Sequence, residues 1–332
     1  MGRISCTVTS TMVMSQLAPA KSEARRPSTF ALLAAFFVIY VVWGSTYLAI
    51  RYAVETIPPL LVVVLRQGFA GLAIFGYAWL RGYRPTRREW HASLVLGIFY
   101  FTIGHGTLHW AETIVPSGLA ALLTASEPIW IAIMAAIILR EERLSAKTIF
   151  GLLLGVAGVA LLMRAEVGAG QAHLLLGCVV ILIGTFSWAC GVIYARSPAL
   201  PRDPVARAGM AAMSGAGVLL LVTIFNGEIA HAHISTFSAR SAGGLLYLIV
   251  FGSIIAFTTY TWLLDHCSPT LVSTHTYANP IVAVLLGWAL AGETFNGRVL
   301  LAGLITLLAV FLISRGTAPK SGRIARSAEE AA

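Results

Sequence analysis

Two ionisable residues stand in long apolar runs, where charges are rare. Arg66 lies in LLVVVLRQGFAGLAIF and Glu127 in TASEPIW. If these runs cross a bilayer, an unpaired charge at the centre costs about 2.5–3.5 kcal/mol on insertion scales. A buried carboxyl without a partner also tends towards its neutral form. Two readings stay open. In one, Arg66 and Glu127 satisfy each other as an ion pair that fixes helix packing. In the other, Arg66 anchors the carboxylate of a bound molecule, or Glu127 acts as a proton-sensitive gate.

His105 and His109 are four residues apart in HGTLH, so a helix puts them on one face, and Glu112 follows. Two histidines and a carboxylate could ligate a metal and support a metal-dependent intramembrane enzyme. The segment lacks the glutamate of the H-E-x-x-H pattern, so lining a cavity or satisfying a neighbour is the plainer role. His275 stands alone as a group that could respond to protons near neutral pH. Pro128 and Pro280 each remove a helical hydrogen bond, and Thr124, Ser126, Thr276 and Asn279 lie close enough to use the freed carbonyls. Such prolines predict bent or discontinuous helices. Trp43, Tyr47, Tyr100, Trp188, Tyr260 and Tyr277 fall in or near the same runs, where deep aromatics can face a ligand and terminal ones anchor at the interface. Gly-Ser pairs at 44–45 and 252–253 lack the flanks of a nucleophile elbow, and there is no Walker loop or dinucleotide fingerprint. No cofactor is expected. Energy for any work would come from a gradient.

The elements that hold these residues follow from composition. The chain has 332 residues, 58% hydrophobic and only 11% charged, against about 25% charged for a soluble domain. With a mean hydropathy of +0.81, this excludes an ordinary soluble enzyme, a disordered chain and a nucleic-acid binder. Residues 1–28 lack a sustained apolar core and read as a polar tail rather than a signal peptide. The four cysteines (Cys6, Cys178, Cys190 and Cys267) form no C-x-x-C pair and indicate neither a disulfide framework nor a zinc site.

Ten apolar runs are long enough to span a bilayer core of about 30 Å: roughly 30–50, 59–80, 92–111, 117–139, 146–163, 173–195, 205–225, 242–264, 269–290 and 297–314. They are continuously apolar, so they predict helices and not barrel strands. The net charge of +9 then reads as topology. With both ends cytoplasmic, eighteen of the 23 Lys and Arg residues fall inside, only Arg51, Arg164, Arg240 and Arg298 fall outside, and Arg66 lies within a span. No connection is long enough to hold a soluble domain; the longest, 226–241, has room for a short interfacial helix.

Two halves repeat. At an offset of 152, Trp110 matches Trp262, Thr124 matches Thr276, Pro128 matches Pro280 and Gly151 matches Gly303. At 145, Trp43 matches Trp188 and Arg51 matches Arg196. Five helices per half is an odd number, so the second copy enters the membrane from the opposite side. The organisation is a polar N-tail (1–29), a first repeat (30–164), a second repeat (173–315) and a polar C-tail (316–332).

WGSTYLAIRYAVETIPPLLVVVLRQGFAG at 43–71, SEPIW at 126–130 and NPIVAVLLGWALAGE at 279–293 resemble the two EamA-type repeats of the drug/metabolite transporter superfamily. The resemblance covers about 30–315. It implies a plasma-membrane carrier of ten helices in a 5+5 inverted repeat, moving amino acids or other small metabolites, often outward, by alternating access. Glu127 faces Asn279 in the repeat, so any carboxylate role belongs to the first half. The residues expected to line a central cavity are Trp43, Tyr47, Arg66, His105, Glu127, Trp188, Thr276, Tyr277 and Asn279. Glu127 and His105 are the candidates if protons are coupled. The expected partners are a small-molecule substrate and the lipid bilayer, for a monomer or homodimer.

Overall fold

The computed structural model describes residues 27–134, 137–138, 145–166, 172–267, 272–273, 275–292 and 297–316. Among these residues the chain is helical, with no strand. Five stretches are long and apolar enough to cross a membrane: Thr29–Ala53, Pro59–Leu80, Ala172–Tyr194, Pro204–Phe225 and Ala239–His266. Backbone groups in lipid must pair within their own segment, which is why apolar runs of this length become helices.

In chain order the elements are α1 (Thr29–Ala53), α2 (Pro59–Leu80), and α3 (Arg87–Gly97) running through a π-helical segment π1 (Ile98–His105) into α4 (Gly106–Ala111). Next come α5 (Ser117–Thr124), α6 (Glu127–Met134) and α7 (Ala146–Glu166). The second half holds α8 (Ala172–Tyr194) and α9 (Pro204–Phe225), then α10 (Ala239–Tyr247) running through π2 (Leu248–Ile255) into α11 (Ala256–His266). It ends with α12 (His275–Ala291) and α13 (Gly297–Gly316).

Local chemistry sets several ends. Thr86 and Glu89 close a capping box at the start of α3: Glu89 N–H donates to Thr86 Oγ1 (3.2 Å) and Thr86 N–H to Glu89 Oε2 (2.7 Å). Burial works against the Glu89 charge, but the hydrogen bonds from Thr86 and Tyr83 hold its pKa below the usual carboxylate range. The N-terminus of α2 has no cap of its own. Glu228, from the long loop of the other half, accepts from Leu60 N–H (2.8 Å) and Leu61 N–H (3.1 Å) and supplies one. The same loop carries a short 3₁₀ turn at Ile234–Thr236.

The packing repeats with the halves exchanged. α2 lies along α9 and α7 along α13, so equivalent helices meet their counterparts. α1 packs on α12 as α8 packs on α6. α8 packs on π1 and α4 as α1 packs on π2 and α11. The π segments, eight residues each, sit at corresponding places of the two halves. The proline pair is less symmetric than the sequence implies. α5 stops at Thr124 and α6 restarts at Glu127, which leaves Pro128 at the second helical position, where no N–H is required. Pro280 instead sits inside the continuous helix α12.

The contact between α2 and α9 depends on small residues. A Cβ on Gly71 would fall 2.7 Å from Met213 N, and one on Gly209 would fall 2.5 Å from Phe75 N. Each glycine lets the opposite backbone approach. Gly76, on the same helix as Gly71, has nothing within 4 Å of such a Cβ. Gly209→Ala is therefore expected to destabilise the protein by about 1–3 kcal/mol, while Gly76→Ala changes stability by less than about 0.5 kcal/mol. Melting temperatures of the two variants in one detergent check this.

Candidate functional site

A cavity of about 80 Å³ lies where the two halves meet. α1 contributes Trp43 and Tyr47, α2 contributes Arg66, and π1 ends on it with Gly104 and His105. The break between α5 and α6 brings Thr124, Ala125 and Glu127 to its wall. α8 contributes Trp188, and α12 brings His275, Thr276 and Asn279. Eight of the nine residues expected from the sequence thus surround one space. The ninth, Tyr277, has a side chain that lies outside the described residues.

The aromatic wall is built across the repeat. Trp43 and Trp188, matched at an offset of 145, meet edge to face with ring centroids 6.0 Å apart. His105 stacks on Trp188 at 5.4 Å, and His275 meets Trp43 edge-on at 4.9 Å. Tyr100 packs on Trp188 at 4.4 Å and Phe257 on Tyr100 at 6.0 Å. Beyond these rings Tyr100 and Phe257 line a second cavity of about 270 Å³. Arg196 and an Arg207–Asp265 ion pair, Nη2 to Oδ1 at 2.6 Å, border that second space. An aromatic layer therefore separates the two.

Arg66 is 2% exposed. It does not pair with Glu127, which corrects one reading of the sequence: no carboxylate oxygen among the described residues lies within 4.0 Å of it. Its Nε donates instead to Ser253 Oγ on π2 (2.8 Å), and its Nη1 reaches His109 Nε2 (3.5 Å). Tertiary packing turned Arg66 towards π2, and a one-dimensional reading had no register between helices with which to foresee that. Glu127 is buried, and its Oε1 has no hydrogen-bond partner.

The histidines have defined tasks. His109 Nδ1 lies 2.8 Å from the His105 carbonyl, so that nitrogen carries the proton and Nε2 is left to accept from Arg66. Gln67 Nε2 donates to His105 Nδ1 (3.0 Å). His275 Nδ1 donates to the Val272 carbonyl (2.9 Å). Asn279 donates its amide to the carbonyls of His275 (3.0 Å) and Tyr40 (3.2 Å). His109 and Glu112 are fully buried and do not line the cavity. With Arg66 against His109, the His105–His109–Glu112 set is not arranged to converge on a cation. Among the described residues no group of three or more His, Cys, Asp or Glu could hold a metal ion.

Other residues escaped the sequence reading. Thr46 and Thr185 line the cavity, His275, noted in the sequence only as a proton-responsive group, lines it too, and Gly252 and Ser253 support it from behind. The Gly-Ser pair was visible, but its value depends on which helix lies opposite.

Two related helical halves closing on a buried polar and aromatic cavity define a membrane carrier architecture. The chain belongs to the EamA-like transporter family, which matches it twice, at residues 28–164 and 175–315. It is 35% identical over 290 residues to the uncharacterized inner membrane transporter YedA of Escherichia coli K12, covering 86% of this chain and 91% of the relative. It is 26% identical over 281 residues to protein PagO of Salmonella typhimurium, covering 83% and 90%. A solved crystal structure shares the fold, with a TM-score of 0.61 at 20% identity, covering 86% of this chain and 97% of the other. The protein is a multi-pass membrane transporter.

Because Glu127 forms no ion pair among the described residues, its role in packing should be small. Glu127→Gln keeps the shape and loses no salt bridge, so the variant is expected at wild-type membrane yield and within about 1 kcal/mol of wild-type stability. Quantifying folded protein by size-exclusion chromatography tests this, and a collapse of folded yield would make the carboxylate a structural element.

Proposed function

We propose that the chain is a secondary carrier that exports a small metabolite, an amino acid or related compound, across the plasma membrane. Ten helices with both termini cytoplasmic form two inverted five-helix repeats, and the central cavity opens alternately to either side. Trp43, Tyr47, Arg66, His105, Glu127, Trp188, Thr276, Tyr277 and Asn279 form the substrate site. The charge bias across the loops supports the topology, and the repeat of the packing pattern supports the inversion.

The observation that carries the reading is Arg66. It is a buried cation on the cavity wall; among the described residues it forms no ion pair within 4.0 Å, and its donors go to Ser253 and His109. A guanidinium has five N–H donors in a fork that fits a carboxylate. A substrate carboxylate completes its coordination. Glu127, with an unpartnered oxygen, then receives a substrate ammonium or a coupling proton, and the rings of Trp43 and Trp188 pack on the remainder. His105 is the second candidate for proton coupling. The environment of His109 favours support of the cavity wall over metal chemistry: His109 holds Arg66 from behind, while His105 lines the cavity.

Mass spectrometry of the culture medium tests the proposal. Cells overexpressing wild type are compared with cells holding Arg66→Gln or Glu127→Ala at equal membrane level. The expected result is a metabolite that accumulates outside with wild type and at least about tenfold less with Arg66→Gln, the size of one lost charged hydrogen bond. Equal accumulation would remove Arg66 from recognition. In liposomes, transport indifferent to an imposed pH gradient would mark facilitated exchange and end the proton-coupled version.

A further inference from the structure

Arg66 reaches the cavity from α2, but what holds it belongs to π2 in the other half. Ser253 Oγ, on a residue 1% exposed, accepts from Arg66 Nε at 2.8 Å. The preceding residue, Gly252, leaves the space the guanidinium needs. A Cβ there would stand 2.9 Å from Arg66 Nη2 and 3.0 Å from Thr46 Cγ2. The Gly252 carbonyl accepts from Trp43 Nε1 at 3.1 Å. A π turn shifts the backbone ladder off i→i−4 and frees a carbonyl for an outside donor. Two adjacent residues thus hold a cation from α2 and an indole from α1, both of which line the cavity.

We propose that Gly252 and Ser253 are positioning residues for substrate recognition. They fix the guanidinium of Arg66 and the ring of Trp43 in the geometry that receives a carboxylate. The proposal rests on the reading of Arg66 as the carboxylate anchor. An arginine side chain carries about 2 kcal/mol of rotamer entropy, and a held fork loses less of it on binding than a free one. With Nε on Ser253 and one Nη1 hydrogen towards His109, the other Nη1 hydrogen and those of Nη2 remain for a bidentate contact. Neither Gly252 nor Ser253 lines the cavity, so neither selects the substrate by direct contact.

The test uses full-length protein in detergent. Melting temperature is followed against concentration of each of the twenty proteinogenic L-amino acids and of the corresponding amino acid amides, which keep the side chain and amine but lack the carboxylate. Stabilisation reports binding. For wild type, acids that stabilise are expected to do so in preference to their amides, and Arg66→Gln abolishes the preference. Ser253→Ala and Gly252→Ala are expected to reduce the acid-over-amide preference about tenfold, the loss of one charged hydrogen bond. Ser253→Ala removes one oxygen and keeps the test alive if Gly252→Ala does not fold. A purely structural role would lower the unliganded melting temperature and leave the preference intact, which overturns the proposal while the Arg66 reading stands. A wild type that no amino acid stabilises, or that treats acids and amides alike, overturns that reading and this proposal with it.

Discussion

A guanidinium enclosed by apolar helices must find polar partners, because every donor left bare in a medium without water is costly. Much of the centre of this protein follows from that requirement at Arg66. π2 supplies Ser253 Oγ, and His109 supplies a ring nitrogen whose acceptor state is set by its own bond to the His105 carbonyl. His105 is in turn held by Gln67, the neighbour of Arg66 on α2. The polar chain runs from α2 to π2 in one direction and to π1 and α4 in the other. Both π segments are therefore drawn into the site by one charge and its surroundings.

The repeat explains the scaffold and also what breaks its symmetry. In each half a π segment accepts a side-chain hydrogen bond from the first helix of the other half: Gly252 O from Trp43 Nε1, and Phe99 O from Ser187 Oγ at 2.9 Å. The matched tryptophans meet beside the cavity. Yet the charged groups are one-sided. α9, the counterpart of α2, carries no ionisable residue beyond Arg207 near its start. Thr102 of π1 donates to the bare backbone carbonyl of Gly215 on α9 at 3.0 Å. Glu127 likewise has Asn279 as its repeat partner. The backbone packing is thus repeated between the halves, while the polar lining of the cavity is not.

Helical class, membrane character and the two-fold repeat were legible in the chain because they depend on averages and spacings. Charge content, run length and matched Trp and Pro positions survive without coordinates. Eight of the residues that line the cavity were named from the sequence for a related reason: a polar or aromatic group deep in an apolar run has few places to go except an internal cavity. The pairing of those groups was not legible. Arg66 and Glu127 looked complementary because they were the outstanding charges in their runs, but complementarity of sign says nothing about rotation and register between helices.

The sequence by itself determined that the chain would be a helical membrane protein of two related halves with a polar interior, since backbone satisfaction in lipid and periodic burial are local constraints. The two prolines predicted a bend or break in each half; tertiary structure decided that the chain breaks before Pro128 while α12 continues through Pro280. It decided that the helices α3–α4 and α10–α11 each widen into a π segment at their centre. It also decided that the Gly252–Ser253 step lies under Arg66. These outcomes depend on which surfaces meet, with the close approaches at Gly71, Gly209 and Gly252 setting the distances. Contacts between residues nearly two hundred positions apart have no signature in local composition, and they hold the cation on the cavity wall.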